Sequence, residues 1–514
     1  MFHLENLTLD CLSHGAISKL FTGSMLLGYV IFGVYLLCLL CILVYSLVQA
    51  HLTYLYLKSK RQKTEVLELP KELPHVTIQL PIYNELYVVE RLLRKVAEMD
   101  YPTDLLEIQV LDDSTDETVE LTARLVGEIG KLGIDIHHVR RPERVGFKAG
   151  ALEYGMKAAK GEFIAIFDAD FLPEKDFLLK TLPYFKDEEI GLVQTKWEHL
   201  NKDYNVLTRL LGMALDAHFT IEQKGRNSNG DFMNFNGTAG VWRRECIETS
   251  GGWSADTLTE DLDLSYRAQL KGWKLKYVEE FTSPAEIPAF IQAVRSQQYR
   301  WNKGGAEVAR KNLRTIVKSD LPFHVKLHAV FHLLNTGIFI CVFLAAIFSV
   351  PLLYFISEGA IERTILTYSG VFFLGFILLS GFYWVTLRQR HANAFTTTLS
   401  FLVYFPIFLS LSMGLSLFNS IAVMEGYLGI KSPFVRTPKF NIVGKETQVK
   451  DNQYARSPIP TIAIFEGILA VYFGLAIWFS CAHGLYPFVP YHALLALGFA
   501  GIFFYSVKHS VIRI

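Results

Sequence analysis

The chain has 514 residues, with 50 basic and 50 acidic side chains. That balance lacks the surplus of Lys and Arg on which phosphate-backbone binding relies, so no nucleic-acid partner is expected. Hydrophobic residues reach 51% and charged residues only 19%, against roughly 45–50% and 25% in soluble domains. Mean hydropathy is +0.25. A single soluble globule and a disordered chain are both excluded, and the length allows two or three domains.

The apolar excess is concentrated. Residues 25–50 carry no charge over more than the ~20 residues that span a bilayer. The run is too long for a cleaved leader and lacks a preceding basic region. Lys58, Lys60, Arg61 and Lys63 follow it, and basic residues beside a span favour the cytoplasmic side. The N-terminus is therefore expected outside and residue 58 onward inside. Four of the six cysteines (Cys38, Cys41, Cys341, Cys481) lie in apolar runs. They read as small buried hydrophobes rather than a disulfide framework or a metal site.

From about 57 to 320 the pattern changes to that of a soluble domain. Short apolar runs at 76–82, 108–112, 133–140 and 163–167 alternate with helical periodicity at 86–98 and 117–126. Such alternation predicts a mostly parallel sheet with covering helices. Ligands in such sheets bind beyond the carboxyl ends of the strands, and the polar clusters sit there. Tyr83-Asn84-Glu85 follows the first strand, Asp112-Asp113 the second, and Asp168-Ala169-Asp170 the run FIAIF. Two aspartates at i and i+2 on a strand end suit a hard divalent cation, Mg²⁺ or Mn²⁺, which keeps substrate phosphate oxygens as further ligands. Lys148 opens a helical stretch where backbone donors can hold phosphate. Thr259-Glu260-Asp261 and Gln297-Gln298-Tyr299-Arg300-Trp301 come later. Each cluster alone has an ordinary role open to it. Aspartates cap helices, and Arg300 and Trp301 lie in a basic amphipathic segment, 287–317, suited to a membrane surface.

Apolar spans dominate again near 326–356, 363–387, 461–482 and 488–508. The stretch 395–428 is also apolar and contains Pro406. Basic residues precede it (Arg388, Arg390) and follow it (Lys431, Arg436, Lys439), so it crosses twice or not at all. As helix it reaches about 51 Å, short of two full crossings of ~30 Å. Tilted or broken short helices, or an interfacial helix, would satisfy both constraints.

Taken together, Asp112-Asp113, Asp168-x-Asp170, Thr259-Glu260-Asp261 and Gln297-x-x-Arg300-Trp301 between membrane segments resemble the family 2 processive glycosyltransferases. These are the cellulose synthases, the cellulose-synthase-like mannan and glucan synthases, hyaluronan synthases and chitin synthases. The resemblance is strong over residues 75–310. It extends to Phe434-Val435-Arg436-Thr437-Pro438-Lys439, similar to the family's gating loop, with Arg436 where the family has Val and no Gly after Lys439. No cyclic-dinucleotide domain is expected after about residue 508.

The resemblance implies an α/β GT-A-type glycosyltransferase domain inserted between transmembrane α-helices. Its parts are an N-terminal span (1–56), a catalytic domain (57–320) with an interfacial helix, and a C-terminal bundle (321–514) with a gating loop at 430–458. Carried over residue by residue, Tyr83, Glu85, Asp112, Asp113, Lys148, Asp168, Gln297 and Arg300 would bind the nucleotide-sugar. Asp168 and Asp170 would hold the metal. Asp261, beside Glu260, would be the general base. Trp301 and Phe235-Asn236-Gly237-Thr238 would contact the acceptor, and Phe434, Thr437 and Lys439 would belong to the gating loop. Expected partners are UDP-glucose or GDP-mannose, a growing glycan and membrane lipid. The expected reaction is inverting synthesis of a β-linked polysaccharide in a plasma, inner or Golgi membrane, with the catalytic domain in the cytoplasm. Addition of one sugar to a membrane lipid is the alternative. Asn335, Tyr368, Tyr383, Trp384 and Asn419 are candidates for lining an exit route, or for holding helices together.

Overall fold

The computed structural model describes residues 5–61, 67–361, 370–391, 393–444 and 458–511, with side chains described from residue 25 to 510. Tyr368 and residues 445–457 of the expected gating loop lie outside the described residues.

Seven strands form one sheet: β1 Val76–Ile82, β2 Leu106–Asp112, β3 Asp135–Val139, β4 Phe163–Ile166, β5 Ile190–His199, β6 Gly240–Arg243 and β7 Lys274–Ala285. Their order is β3-β2-β1-β4-β6-β5-β7. β6 runs antiparallel to β4 and β5, and the other pairings are parallel. The expected alternation is present, with this one reversal. β2 is buried along its whole length, as a strand covered on both faces should be. The helix Val89–Ala97 buries Val89, Leu92, Leu93 and Val96 against one face, the i, i+3, i+4, i+7 stripe of an amphipathic helix. On the other face the helix Phe147–Met156 contributes Ala149, Ala151 and Leu152. β1, β2 and β4 end side by side, which places Tyr83, Asp113 and Asp168 at one sheet edge.

Six helices among the described residues are long and apolar enough to cross a membrane: Met25–Ser59, Phe323–Ser357, Gly370–Arg388, Ala394–Gly414, Thr461–Ala482 and Tyr486–Ser510. The stretch 395–428 divides into helices Ala394–Gly414 and Ser416–Leu428. Before it, Arg390 pairs with Glu198 at 3.0 Å and with Asp216. After it, Lys439 pairs with Asp170 at 2.6 Å. Both flanks thus lie against the sheet domain, so the stretch returns to the side it left. The 13 residues of its second helix reach only about 20 Å, less than a full crossing of ~30 Å. The break between the two helices falls at Leu415. Tyr383 packs against Phe405 and Phe408, and Trp384 donates to Thr398 Oγ1 at 3.3 Å; both join neighbouring helices.

Gly414 and Gly498 bring the helices Ala394–Gly414 and Val489–Val511 into backbone contact, beside a 2.7 Å bond from Ser410 Oγ to the Leu494 carbonyl. A Cβ at Gly498 would collide with the Ser410 carbonyl. Small residues at such crossings permit close approach. Gly498→Leu is expected to destabilise the bundle by about 1–3 kcal/mol, seen as a lower melting temperature of the detergent-purified protein.

Candidate active site

At the strand-end edge lies a cleft of about 1270 Å³, part of it open to solvent. Its walls come from six parts of the chain. The sheet supplies Tyr83, Glu85, Asp113, Asp168 and Asp170, and the helix start at Phe147 supplies Lys148. The loop before β6 supplies Asn236 and Gly237, and the start of helix Glu260–Leu270 supplies Glu260 and Asp261. The helix Ile291–Lys318 presents Gln297, Arg300 and Trp301, and a strap at 429–444 lays Phe434, Arg436, Thr437 and Lys439 across the opening. Gln297, Arg300 and Trp301 stand at i, i+3 and i+4, one helical face.

The electrostatics are those of buried carboxylates offset by buried cations. Lys148 Nζ donates to Asp168 Oδ1 at 2.5 Å and to the Gly237 carbonyl at 2.8 Å, and lies 3.9 Å from Glu260. Lys439 Nζ donates to Asp170 Oδ2 at 2.6 Å. Arg436 pairs with Glu85 at 2.7 Å. Arg300 donates to Thr437 Oγ1 at 2.8 Å, and its guanidinium sits 4.8 Å from the Phe434 ring centre. Phe434 also stacks on Phe147 at 5.5 Å. Burial works against the charges of Lys148 and Lys439, but Asp168 and Asp170 outweigh it and hold both ammonium groups above their ordinary range. Burial lowers Arg300 despite the surrounding carboxylates.

Asp261 has the most consequential environment. It stands in the first turn of its helix, where the dipole favours a negative charge, and its Oδ1 accepts the Leu262 N–H at 2.8 Å. Burial and the neighbouring Glu260 charge win, and its carboxyl is pushed up to about 7. Burial likewise raises Glu260, and pushes Glu85 up to about 7 against the pull of Arg436 and Lys439. Gly237, at φ +82°, is needed beside Asp261, because a Cβ there would lie 2.9 Å from Asp261 Oδ2.

Three expected residues fall outside the cleft wall. Asp112 is buried behind it, accepting Ser114 N–H and facing His138 Nε2, both at 2.8 Å. Burial opposes its charge, but these partners hold the carboxyl below its usual range. The side chains of successive strand residues alternate between faces, so Asp112 and Asp113 cannot both face the cleft. Phe235 is a core residue against Trp242 and Trp253. Thr238 is buried, and its Oγ1 accepts the Asp168 N–H at 2.9 Å. Arg144 and Glu286 of the wall, and Arg141 beside it, are absent from the expected residues. Arg144 stacks 3.4 Å from the centre of the Tyr83 ring, and Arg141 grips Asp113 with two bonds of 2.8 and 2.6 Å. The basic run Arg140–Arg144 after β3 was a signal for both. Glu286, which accepts the strap N–H groups of Phe440 and Ile442 at 2.8 and 3.3 Å, had no signal.

Residues 74–304 match the family model described as Glycosyltransferase like family 2. This segment is a family 2 glycosyltransferase domain. The probable glucomannan 4-beta-mannosyltransferase 4 of Oryza sativa subsp. japonica is 43% identical over 264 residues, covering 50% of this chain and 48% of that protein. Glucomannan 4-beta-mannosyltransferase 2 of Arabidopsis thaliana is 40% identical over 306 residues, 57% of each. The chain thus spans about half the length of the curated relatives it matches. Among solved structures, the mannosyltransferase PcManGT from Pyrobaculum calidifontis, in complex with GDP-Man and Mn²⁺, is 21% identical with a TM-score of 0.49. That alignment covers 70% of this chain and 99% of that one. The α/β sheet domain is flanked by the helices long and apolar enough to cross a membrane.

The raised Asp261 carboxyl predicts a stability effect. The unfolded group ionises near ~4 and the folded one near 7, so the native state binds more protons between these values and stability falls as pH rises through that window. Asp261→Asn, neutral at every pH, is expected to melt a few degrees above wild type at pH 8. The difference should vanish towards pH 4 in thermal scans.

Proposed function

We propose that the protein is an inverting hexosyltransferase that builds a β-1,4-linked glycan from GDP-mannose on the cytoplasmic face of a membrane and passes the chain into its helical bundle. The observation that carries this reading is the meeting of Asp168, Asp170, Asp261, Arg300 and Trp301 in one cleft against the bundle. The names of the plant relatives support mannose as the transferred sugar.

Inverting transfer needs in-line attack by an acceptor hydroxyl on the anomeric carbon while a base takes its proton. Asp261 has the burial and the poise near neutrality that suit this role. Arg300 and Lys148 supply positive charge to the diphosphate as it departs. The planar guanidinium of Arg300 can bond two phosphate oxygens. Trp301 offers a flat apolar face for the acceptor sugar ring. Arg144 and Tyr83 would flank the nucleotide base.

A divalent cation fits the donor set. Asp168 and Asp170 present oxygen ligands, and no group of three or more candidate ligands occurs among the described residues. A cation held by two carboxylates and completed by substrate phosphates is the habit of Mg²⁺ and Mn²⁺. It would neutralise charge on the diphosphate. The lysines now on those carboxylates would then be available to the phosphates.

The test is sugar transfer by purified protein in detergent with labelled GDP-mannose or UDP-glucose and Mn²⁺. A long alkali-stable mannan is expected; no polymer from either donor overturns the proposal, and a lipid-extractable single-sugar product favours the alternative. Asp261→Asn should lower kcat by about 10²–10⁴-fold while GDP affinity, read by calorimetry, is kept. The acid limb of the wild-type kcat profile should fall near pH 7. Excess EDTA should abolish transfer and added Mn²⁺ restore it, with Asp170→Asn raising the Mn²⁺ concentration needed for half-maximal rate.

A further inference from the structure

The side chain of Asn236 is gripped from two directions. Gln223 Nε2 donates to its Oδ1 at 2.7 Å, and its Nδ2 lies 2.9 Å from His218 Nε2. An amide nitrogen can only donate, so His218 Nε2 accepts and the ring proton sits on Nδ1. That nitrogen lies 2.9 Å from Glu222 Oε2. Glu222 is a fit acceptor, because Arg226 and His218 hold it ionised, down to about 2, against its burial. Its other oxygen accepts from Gln49 Nε2 at 2.7 Å, on the first membrane helix. His218, Glu222 and Gln223 all belong to one turn of π-helix, His218–Gln223, a distortion that recurs at functional sites.

This chain of bonds leaves one Asn236 N–H uncommitted to His218. Asn236 lines the cleft, and the next residue, Gly237, accepts from Lys148 and lies so near Asp261 that a Cβ on it would stand 2.9 Å from Asp261 Oδ2. Resting on the glycosyltransferase reading above, we propose that His218 is a positioning residue. Together with Gln223, it fixes which end of the Asn236 carboxamide is a donor, so that the remaining N–H meets a hydroxyl of the acceptor sugar beside Asp261. An Asn free to rotate would present its oxygen as readily as its nitrogen. The anchorage through Gln49 ties this orientation to the membrane helix.

Three full-length proteins in detergent decide the matter: wild type, His218→Phe and His218→Gln. The phenyl ring keeps the shape and removes both nitrogens. The glutamine amide restores a donor towards Glu222 and an acceptor towards Asn236. Each is assayed with GDP-mannose and a soluble β-1,4-manno-oligosaccharide, with GDP affinity and melting temperature measured in parallel. His218→Phe is expected to raise the acceptor KM about tenfold, with GDP affinity kept and kcat changed less. His218→Gln is expected to return KM to within about threefold of wild type. An unmoved KM, an equal rise in both variants, or a matching loss of GDP affinity overturns the assignment. If His218→Phe does not fold, Gln223→Met carries the same prediction from the other end of the amide, and an unchanged acceptor KM there overturns it. A wild type that transfers from neither GDP-mannose nor UDP-glucose overturns the glycosyltransferase reading and this assignment with it. A wild type that transfers while the variants match it overturns the assignment alone.

Discussion

Seven carboxylates, Glu85, Asp113, Asp168, Asp170, Glu260, Asp261 and Glu286, crowd one cleft at the carboxyl edge of the sheet, and this crowding governs the molecule. Like charges at close quarters and low exposure cannot all ionise unless cations reach them. No single element supplies those cations. Lys148 comes from a helix start, Arg141 and Arg144 from the loop after β3, Arg300 from the helix Ile291–Lys318, and Arg436 and Lys439 from the strap. The charge balance of the cleft is therefore a property of the assembled fold. Where compensation is partial, as at Asp261 and Glu85, protonation rises towards neutral pH, the range in which a carboxylate can act as a base.

The same constraint joins the membrane bundle to the domain. The helix Ile291–Lys318 is held from the membrane side by the buried Arg295–Glu466 pair at 2.5 Å and by Lys303, which bonds Glu425 at 3.0 Å and Ser432 at 2.8 Å. Glu286 fastens the far end of the strap through two backbone N–H groups. Ion pairs this buried are costly to break, since removing one partner strands the other. They make relative sliding of cleft and bundle expensive, and so hold Trp301 in register with the strand-end carboxylates.

The path of residues 394–428 follows from this anchorage. A sequence that leaves the domain at Arg390 and must return Lys439 to Asp170 has no freedom to end on the opposite side of the bundle. Breaking the helix after Gly414 and packing it closely on Gly498 resolves the conflict between an apolar composition and a length too short for two crossings.

By itself the sequence determined the membrane segments, the alternating strands and helices, and the strand-end carboxylates, because each rests on local periodicity or on a short motif. Tyr83, Asp168, Asp170, Asp261, Arg300 and Trp301 were all legible in this way, and all line the cleft. What only the tertiary structure decided concerns partners far apart in the chain. Arg436 read as a departure from the family pattern until it was seen against Glu85, 351 residues away. Asp112 and Asp113 look alike in sequence, yet the strand pleat sends one to His138 and the other to the cleft. The clamp on Asn236 needs a π-helical turn and a membrane helix to arrive at the same place. No local pattern encodes such meetings, because burial, and the pKa shifts that come with it, exist only once distant segments have excluded water together.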